Sequence, residues 1–193
     1  KRADVVAVGP GLSQRAGALS LVRQFLTQSC QPLVIDADGI FALKGLRALK
    51  RPKQAAGVVI TPHPGEMARL LGTTTSRIEK NRRGIAVRVA KGLQVVVVLK
   101  GNKTVIASPD GSVQINPTGN PGMATAGMGD LLTGIVSAFI GAGLEPFEAA
   151  VAGVYLHGLA GDRAVRQVGQ VSLVASDLLR AIPETLRNLA RKR

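Results

Sequence analysis

Aromatic residues are nearly missing from this 193-residue chain, which contains no tryptophan, one tyrosine and four phenylalanines. Proteins that bind single-stranded nucleic acids stack bases on aromatic side chains, and no aromatics are interleaved with the basic residues here. The net charge of +13 therefore favours a basic surface, or attraction for an anionic nucleotide, over a nucleic-acid partner. The only densely basic segment is the tail 191–193.

Cysteine and histidine are also scarce, with one cysteine and two histidines in the chain. Cys30 has no partner for an internal disulfide, and no group of cysteine and histidine residues has metal-ligand spacing. These shortages exclude a disulfide scaffold and argue against a structural zinc site.

Long apolar runs are missing as well. A helix needs about 18 consecutive apolar residues to cross a bilayer, and no stretch of this sequence reaches that length. The basic start Lys1–Arg2 is followed by a short strand pattern instead of a signal-like segment. We therefore expect a cytoplasmic protein without a membrane partner.

Short apolar runs alternate with helical stretches along the chain, which predicts a single α/β domain over residues 1–193. The predicted strands are 5–8, 32–35, 58–60, 95–99, 104–107 and 113–115, and the main predicted helices are 14–27, 75–91, 131–142, 146–165 and 176–190, with a shorter helix ending at 71. The first four strands are apolar throughout, which predicts a mainly parallel sheet with helices on both faces. The last two strands form a predicted hairpin through the turn residues 108–111.

Polar loops follow four of the predicted strands, and they begin at Gly9, Asp36, Thr61 and Lys100. In open parallel sheets, ligands bind outside the carboxyl ends of the strands. We therefore expect one edge of the sheet to gather these loops.

A glycine-rich loop, 119–130, ends on Asp130 and runs into an apolar helical segment. Its glycines allow close approach of a ligand, and the start of a helix offers free N–H groups to phosphate. The loop therefore predicts an active site that includes Asp130. An aspartate near a helix start is also a common cap, and the loop alone does not separate the two interpretations.

Five motifs occur in one order along the chain. They are Val-Gly-Pro-Gly-Leu (8–12), Ile-Asp-Ala-Asp (35–38), Ile-Thr-Pro-His-Pro-Gly-Glu (60–66), Leu-Lys-Gly (99–101) and Gly-Asn-Pro-Gly-Met-Ala-Thr-Ala-Gly-Met-Gly-Asp (119–130). This set resembles the ATP- or ADP-dependent NAD(P)H-hydrate dehydratases, which are ribokinase-like repair enzymes. The resemblance extends from residue 5 to about residue 177.

The resemblance implies a reaction in which (S)-NAD(P)H hydrate is returned to NAD(P)H. The hydroxyl on the reduced nicotinamide ring is phosphorylated by ATP or ADP, and phosphate is then eliminated. Asp130 would contact the substrate and act as the base that takes the hydroxyl proton. The backbone N–H groups around Gly127 and Gly129 would hold the phosphates.

The resemblance also implies binding residues. Gly11 and His63 match positions that contact the hydrated dinucleotide. The residues that match or adjoin nucleotide-binding positions are Lys100, Gly101, Asn102, Lys103, Thr104, Asn120, Gly127 and Gly129. The second histidine, His157, lies among apolar residues in a helix, which indicates a structural role.

Acidic residues near the predicted edge provide a candidate magnesium site. Glu66 and Asp38 would hold Mg²⁺ through water, together with nucleotide phosphates, and Asp36 is a further acidic residue near the same edge. The alternative is that Asp36 and Asp38 cap a helix or form a turn.

The chain begins almost at the Val-Gly-Pro-Gly strand, whereas members of the family it resembles have further strands and a substrate loop before it. We therefore expect an N-terminally incomplete domain. The resemblance also allows a homo-oligomer, and a fused or separate NAD(P)H-hydrate epimerase as a partner.

Two other functions stay open at the level of sequence. A ribokinase-like kinase of a small vitamin precursor would use the same Asp130 and the same phosphate loop, although the Thr-Pro-His-Pro-Gly-Glu run favours the dehydratase. A non-catalytic nucleotide-binding or regulatory module is the other, because the chain begins so close to its first strand.

Overall fold

The computed structural model describes residues 3–191, so Lys1, Arg2 and the last two residues of the basic tail lie outside it. A six-stranded sheet forms its centre, with the strands side by side in chain order. The strands are β1 (Val6–Val8), β2 (Leu33–Ile35), β3 (Val58–Ile60), β4 (Val96–Leu99), β5 (Val105–Ala107) and β6 (Val113–Ile115). The first four are parallel, and β5 and β6 form an antiparallel hairpin. The predicted sheet is therefore confirmed.

Helices pack on both faces of this sheet or on the helices that cover it. They are α1 (Ala16–Gln28), α2 (Pro64–Leu71), α3 (Thr75–Lys80), α4 (Arg82–Leu93), α5 (Met128–Gly141), α6 (Pro146–Val168) and α7 (Ala175–Ala190), with two 3-10 helices at Ala37–Leu43 and Pro121–Met123. One core joins the sheet to α1–α4, and a second joins it to α5 and α6. The predicted α/β architecture is confirmed on both faces.

The strands are apolar throughout because successive side chains enter different cores. In β2, Leu33 and Ile35 pack in the core with α1–α4, while Val34 packs in the core with α5 and α6. All residues of β2, β3 and β4 are buried. A strand buried on both faces has no polar side to show in its sequence.

One predicted helix, 75–91, is wrong in its continuity, because the structure divides it into α3 and α4. Asn81 separates them with φ −148° and ψ 54°, outside the helical region. Its Oδ1 accepts a hydrogen bond from Gly84 N at 3.0 Å and so caps α4. Asparagine side chains compete for backbone groups in this way. The apolar periodicity continues across the break, so the sequence pattern alone does not reveal it.

The segment after Asp36 also differs from the prediction. The sequence indicated a polar turn there, whereas the structure has a 3-10 helix whose last five residues, 39–43, are all buried. Packing beneath α1 and α2 shapes this segment. No local sequence signal announces a contact of that kind.

The carboxyl ends of the parallel strands meet at one edge, as predicted. The chain continues to bond to its neighbour after each strand, because Asp36 N donates to Val8 O, Thr61 N to Ile35 O, and Lys100 N to Pro62 O. The loops after β1–β4 therefore lie together. Within residues 3–191, no helix combines the length and apolarity that a membrane crossing requires.

Candidate active site

Asp130 lies in the first turn of α5. Gly127 caps this helix in a left-handed conformation with φ 82°, and Leu131 N makes the first intrahelical bond, to Gly127 O. The amides of Met128, Gly129 and Asp130 precede that bond and have no acceptor within residues 3–191, so they are free donors at the helix start. The exposed Asp130 carboxylate accepts no hydrogen bond from residues 3–191, so it does not cap the helix.

A buried ion pair packs against the start of α5. The Asp36 carboxylate is 1% exposed and accepts from Lys100 Nζ at 2.8 Å and from Thr133 Oγ1 at 3.0 Å. A methyl group added at Gly129 would lie 3.2 Å from Lys100 Nζ and 3.4 Å from Asp36 Oδ2. Gly129 therefore rests directly on the ion pair. The capping role considered for Asp36 is wrong, because the carboxylate is engaged with β4 and α5 instead.

Lys100 is predicted from the sequence to bind the nucleotide, and the structure places its side chain beneath the loop. Its ammonium lies 2.8 Å from Asp36 and 3.8 Å from Glu66, with 19% of the side chain exposed. These two carboxylates hold the positive charge next to Gly129. A direct contact between Lys100 and a nucleotide stays a prediction.

His63 and Glu66 form a reciprocal cap at the start of α2. His63 Nδ1 accepts from Gly65 N at 3.0 Å and from Glu66 N at 3.3 Å, while Glu66 Oε2 accepts from His63 N at 2.7 Å. Because Nδ1 is an acceptor, a neutral ring has its proton on Nε2. The His63 side chain is 49% exposed, so the ring lies at the surface.

The loop after β1 is fixed by Asp38. Asp38 Oδ2 accepts from Ser13 N at 3.0 Å, and Oδ1 accepts from Gln14 Nε2 at 2.9 Å. Gly11 is exposed in this loop with φ 68°. Gly9 is required just before it, since a methyl group there would lie 1.7 Å from Asp36 O. Both oxygens of Asp38 are thus used within the loop.

The acidic residues do not make a metal cage by themselves. Within the described part of the chain, no group of three or more His, Cys, Asp and Glu residues is arranged to hold a metal ion. Asp36 and Glu66 share the Lys100 ammonium instead. Magnesium is commonly held by one or two carboxylates, waters and substrate phosphates, so this edge suits only an ion that arrives with a nucleotide.

Asn120, near the start of the glycine-rich loop, is held by a residue that the sequence analysis missed. Its Oδ1 accepts from Gly122 N at 3.1 Å, and its Nδ2 donates to Asp162 Oδ1 at 2.9 Å. Asp162 Oδ2 also accepts from Gly119 N at 2.9 Å. The only signal for Asp162 was an acidic residue within a helix otherwise rich in small and apolar residues.

His157 holds the other end of the same loop. Its Nε2 lies 2.9 Å from Met128 O and must donate, since a carbonyl oxygen only accepts. Burial lowers the pKa of His157 to about 4, and the nearby Lys100 charge acts in the same direction, against the hydrogen bond to Met128. The ring is therefore neutral at pH 7. The structural interpretation of His157 agrees with this contact, which the sequence did not locate.

The segment 99–104 connects β4 to β5 and contains most of the predicted nucleotide contacts. Asn102 and Lys103 are exposed, and Thr104 Oγ1 donates to Gly101 O at 3.0 Å. Thr104 thus uses its hydroxyl proton within the segment. The backbone of the segment is bound by Arg82, a second residue that the sequence analysis missed.

This arrangement combines an exposed carboxylate with free amides at a helix start. A helix start attracts anions because its N–H groups and dipole point toward them. A carboxylate without a hydrogen-bond partner is suited to accept a proton from a bound hydroxyl. The edge can therefore bind a phosphate and position a base beside it.

Comparison with known proteins finds a family that matches most of the chain. Residues 1–184 match the NAD(P)H-hydrate dehydratase family. A bifunctional NAD(P)H-hydrate repair enzyme from Moorella thermoacetica is 54% identical over 187 residues, which cover 96% of this chain and 35% of that enzyme. The chain thus spans about a third of that relative's length.

Solved structures agree. An ADP/ATP-dependent NAD(P)H-hydrate dehydratase from Bacillus subtilis, co-crystallised with ATP and Mg²⁺, superposes with a TM-score of 0.87 at 36% identity, over 96% of this chain and 64% of that one. A ribokinase-like superfamily protein from Enterococcus faecalis superposes with a TM-score of 0.76 at 32% identity, over 96% of this chain and 63% of that one. The predicted ribokinase-like fold is confirmed.

Proposed function

Because the chain belongs to the NAD(P)H-hydrate dehydratase family, we propose that it contributes the catalytic site for dehydration of (S)-NAD(P)H hydrate to NAD(P)H at the expense of ADP or ATP. The observation that carries this proposal is the Asp130 carboxylate, exposed and without a hydrogen-bond partner within residues 3–191, beside the free amides of α5. The names of the relatives support the choice of substrate and phosphoryl donor.

In the proposed reaction, Asp130 takes the proton of the ring hydroxyl while the hydroxyl oxygen attacks the terminal phosphorus of the nucleotide. The bond from that phosphorus to its bridging oxygen breaks, and the shortened nucleotide leaves. The bond between the ring carbon and the phosphate oxygen then breaks, the neighbouring ring carbon loses a proton to solvent, and the double bond that forms between the two carbons restores the reduced ring. The amides of Gly129 and neighbouring residues stabilise the charge that develops on phosphate oxygens.

The remaining residues take supporting roles in this proposal. Gly11 and His63 would contact the hydrated dinucleotide, and the segment 100–104 would bind the adenine nucleotide together with Asn120 and Gly127. Mg²⁺ would neutralise phosphate charge when it arrives with the nucleotide, and Glu66 would reach it through water. Asp38 is the weaker candidate, because both its oxygens are bound within its own loop.

The organisation of the chain is also part of the proposal. We infer one domain over residues 1–193, which the single sheet and its two flanking cores support. The relatives are longer, and the Moorella thermoacetica enzyme is bifunctional. This supports an epimerase, fused or separate, as a partner in the full repair function. Homo-oligomerisation also remains a proposal.

The test is an incubation of the protein with hydrated NADH, Mg²⁺ and either ATP or ADP, followed by the return of dihydronicotinamide absorbance. We expect Asp130→Asn to lower kcat at least about a hundredfold while nucleotide binding persists, since the variant loses the proton acceptor and keeps the amides.

Glu148→Gln is the matched control. Glu148 is also an exposed acid in the first turn of a helix, but it lies on α6 and outside the proposed site. It should retain the parental rate. Recovery of NADH with one nucleotide would identify the phosphoryl donor, whereas equal rates in Asp130→Asn and the parent would refute the base assignment.

A further inference from the structure

Arg82, the first residue of α4, binds three backbone carbonyls of the segment 99–104. Its Nη2 donates to Leu99 O at 2.9 Å and to Lys100 O at 3.1 Å, and its Nη1 donates to Asn102 O. The contact is close, since a methyl group added at Gly101 would lie 2.9 Å from Nη2. One guanidinium thus sets the direction of three carbonyls at the site edge.

The direction of these carbonyls also fixes the direction of amides. In a trans peptide, the carbonyl oxygen of one residue and the N–H of the next point to opposite sides, and no cis bond occurs within residues 3–191. The amides of Gly101 and Lys103 therefore point away from Arg82. Within the described chain, neither has a hydrogen-bond acceptor, whereas Lys100 N donates to Pro62 O.

The backbone of the segment needs an external anchor to keep this shape. Gly101 has φ 137° and Lys103 has φ 54°, and a lysine in the left-handed region is conformationally unfavourable. Carbonyls turned to one side and free amides turned to the other resemble the backbone concavities that bind anions. The contacts with Arg82 hold the backbone of the segment in this conformation.

We propose that Arg82 is a positioning residue for the adenine nucleotide. It binds the carbonyls of Leu99, Lys100 and Asn102 so that the amides of Gly101 and Lys103 face the phosphates. Arg82 itself contacts only the protein. This inference rests on the proposed nucleotide-dependent function and adds a residue that acts through the 99–104 segment.

Arg51 provides a control with the same chemistry at another place. Its Nη1 donates to Ala56 O at 2.8 Å, and its Nη2 donates to Ser29 O at 2.8 Å and to Gln31 O at 2.9 Å. Burial lowers the pKa of both arginines from the ordinary value. The carbonyls that Arg51 binds precede β2 and β3, so they lie at the opposite end of the sheet from the site.

The experiment compares Arg82→Met with Arg51→Met. The dissociation constants of Mg²⁺-ATP and Mg²⁺-ADP are measured by calorimetric titration, together with the melting temperature and the KM values for nucleotide and hydrate. Both variants should melt at a lower temperature. We expect Arg82→Met to weaken nucleotide binding about tenfold or more, and Arg51→Met to change it less than about twofold.

The KM values for nucleotide and hydrate distinguish a loss of nucleotide positioning from a general loss of protein stability. The KM for hydrated NADH should stay within about twofold of the parental value in Arg82→Met, because the hydrate is proposed to bind elsewhere on the edge. Equal loss of nucleotide affinity in the two methionine variants would overturn the inference. An equal rise of both KM values in Arg82→Met would overturn it as well.

Arg82→Lys keeps the test decisive if Arg82→Met does not fold. Lysine retains the charge but lacks the planar fork that reaches three carbonyls. A folded Arg82→Lys protein with weakened nucleotide binding supports the inference, and one with parental affinity overturns it. If the parent binds nucleotide but does not dehydrate the hydrate, the proposed reaction fails, and Arg82 is still judged by the binding constants.

Discussion

Several polar side chains of the site act on the backbone of its loops. Asp162 binds the start of the glycine-rich loop through Gly119 N, and His157 binds its end through Met128 O. Each contact gives a backbone group of the loop a hydrogen-bond partner within the protein. The Asp130 loop is therefore held at both ends before any ligand binds.

The titration of His157 should appear in the stability of the protein. Its pKa is about 4 in the folded state and about 6.5 when exposed. As pH falls from 6.5 to 4, the unfolded chain takes up a proton that the folded protein refuses, so the free energy of unfolding decreases, by at most about 3 kcal/mol. Above pH 7 the ring is largely neutral in both states, so His157 contributes little to the pH dependence of the free energy of unfolding.

His157→Gln tests this prediction, because glutamine keeps an N–H donor near Met128 O but does not titrate. Urea unfolding is measured from pH 4 to pH 8. The difference between parent and variant should be constant above pH 7 and should change by about 1.4 kcal/mol per pH unit near pH 5. Parallel curves across the whole range would contradict the prediction.

A buried polar contact ties α5 to the end of the sheet, in addition to their shared apolar core. Thr133 Oγ1, one turn after the helix start, donates to Asp36 Oδ2 at 3.0 Å, and Asp36 follows β2 directly. Lys100, which follows β4, binds the other oxygen of the same carboxylate. Helix α5 is thus tied through one aspartate to the ends of two strands.

Replacing Thr133 by valine should weaken this tie. Valine has nearly the same shape, but it leaves the buried Asp36 carboxylate with one donor fewer, and we expect a loss of about 1–3 kcal/mol in the free energy of unfolding. Ser137→Ala is the control on the same helix, because Ser137 Oγ only bonds back to Thr133 O. Its cost should be below about 1 kcal/mol. Equal losses in the two variants would contradict a special role for the Thr133–Asp36 contact.

At the scale of the whole molecule, burial is greatest in the middle of the sheet. Every residue of β2, β3 and β4 is buried, and the two cores meet across these strands. The outer strands are different, because Ala7 in β1 and two residues of β6 are exposed. Burial thus decreases from the centre of the sheet to its edges.

Hydrogen exchange measured by mass spectrometry should follow this gradient. We expect the amides of β2, β3 and β4 to exchange slowest and those of β1 and β6 to exchange faster, because edge amides open without unfolding the core. Added Mg²⁺-ATP should slow exchange in the segment 99–104. If β1 exchanged as slowly as β3, its outer edge would have to be paired in solution.

The fold was largely predictable from local patterns. Apolar runs without alternation indicated the parallel strands, and the turn residues 108–111 indicated the hairpin. The places where prediction failed share a cause. The break at Asn81 and the 3-10 helix after Asp36 are decided by hydrogen bonds and burial that interrupt no apolar pattern.

The sequence by itself determined the order of the motifs along the chain, the glycines that the loops require and the carboxylate at the start of α5. Those features depend on residue type and spacing, which a sequence displays directly. Only the tertiary structure decided that Lys100 lies on Asp36, that His157 and Asp162 hold the Asp130 loop, and that Arg82 binds the carbonyls of the segment 99–104. These partners are far apart in the chain, and only the packing of helices on a shared sheet brings them within hydrogen-bond distance.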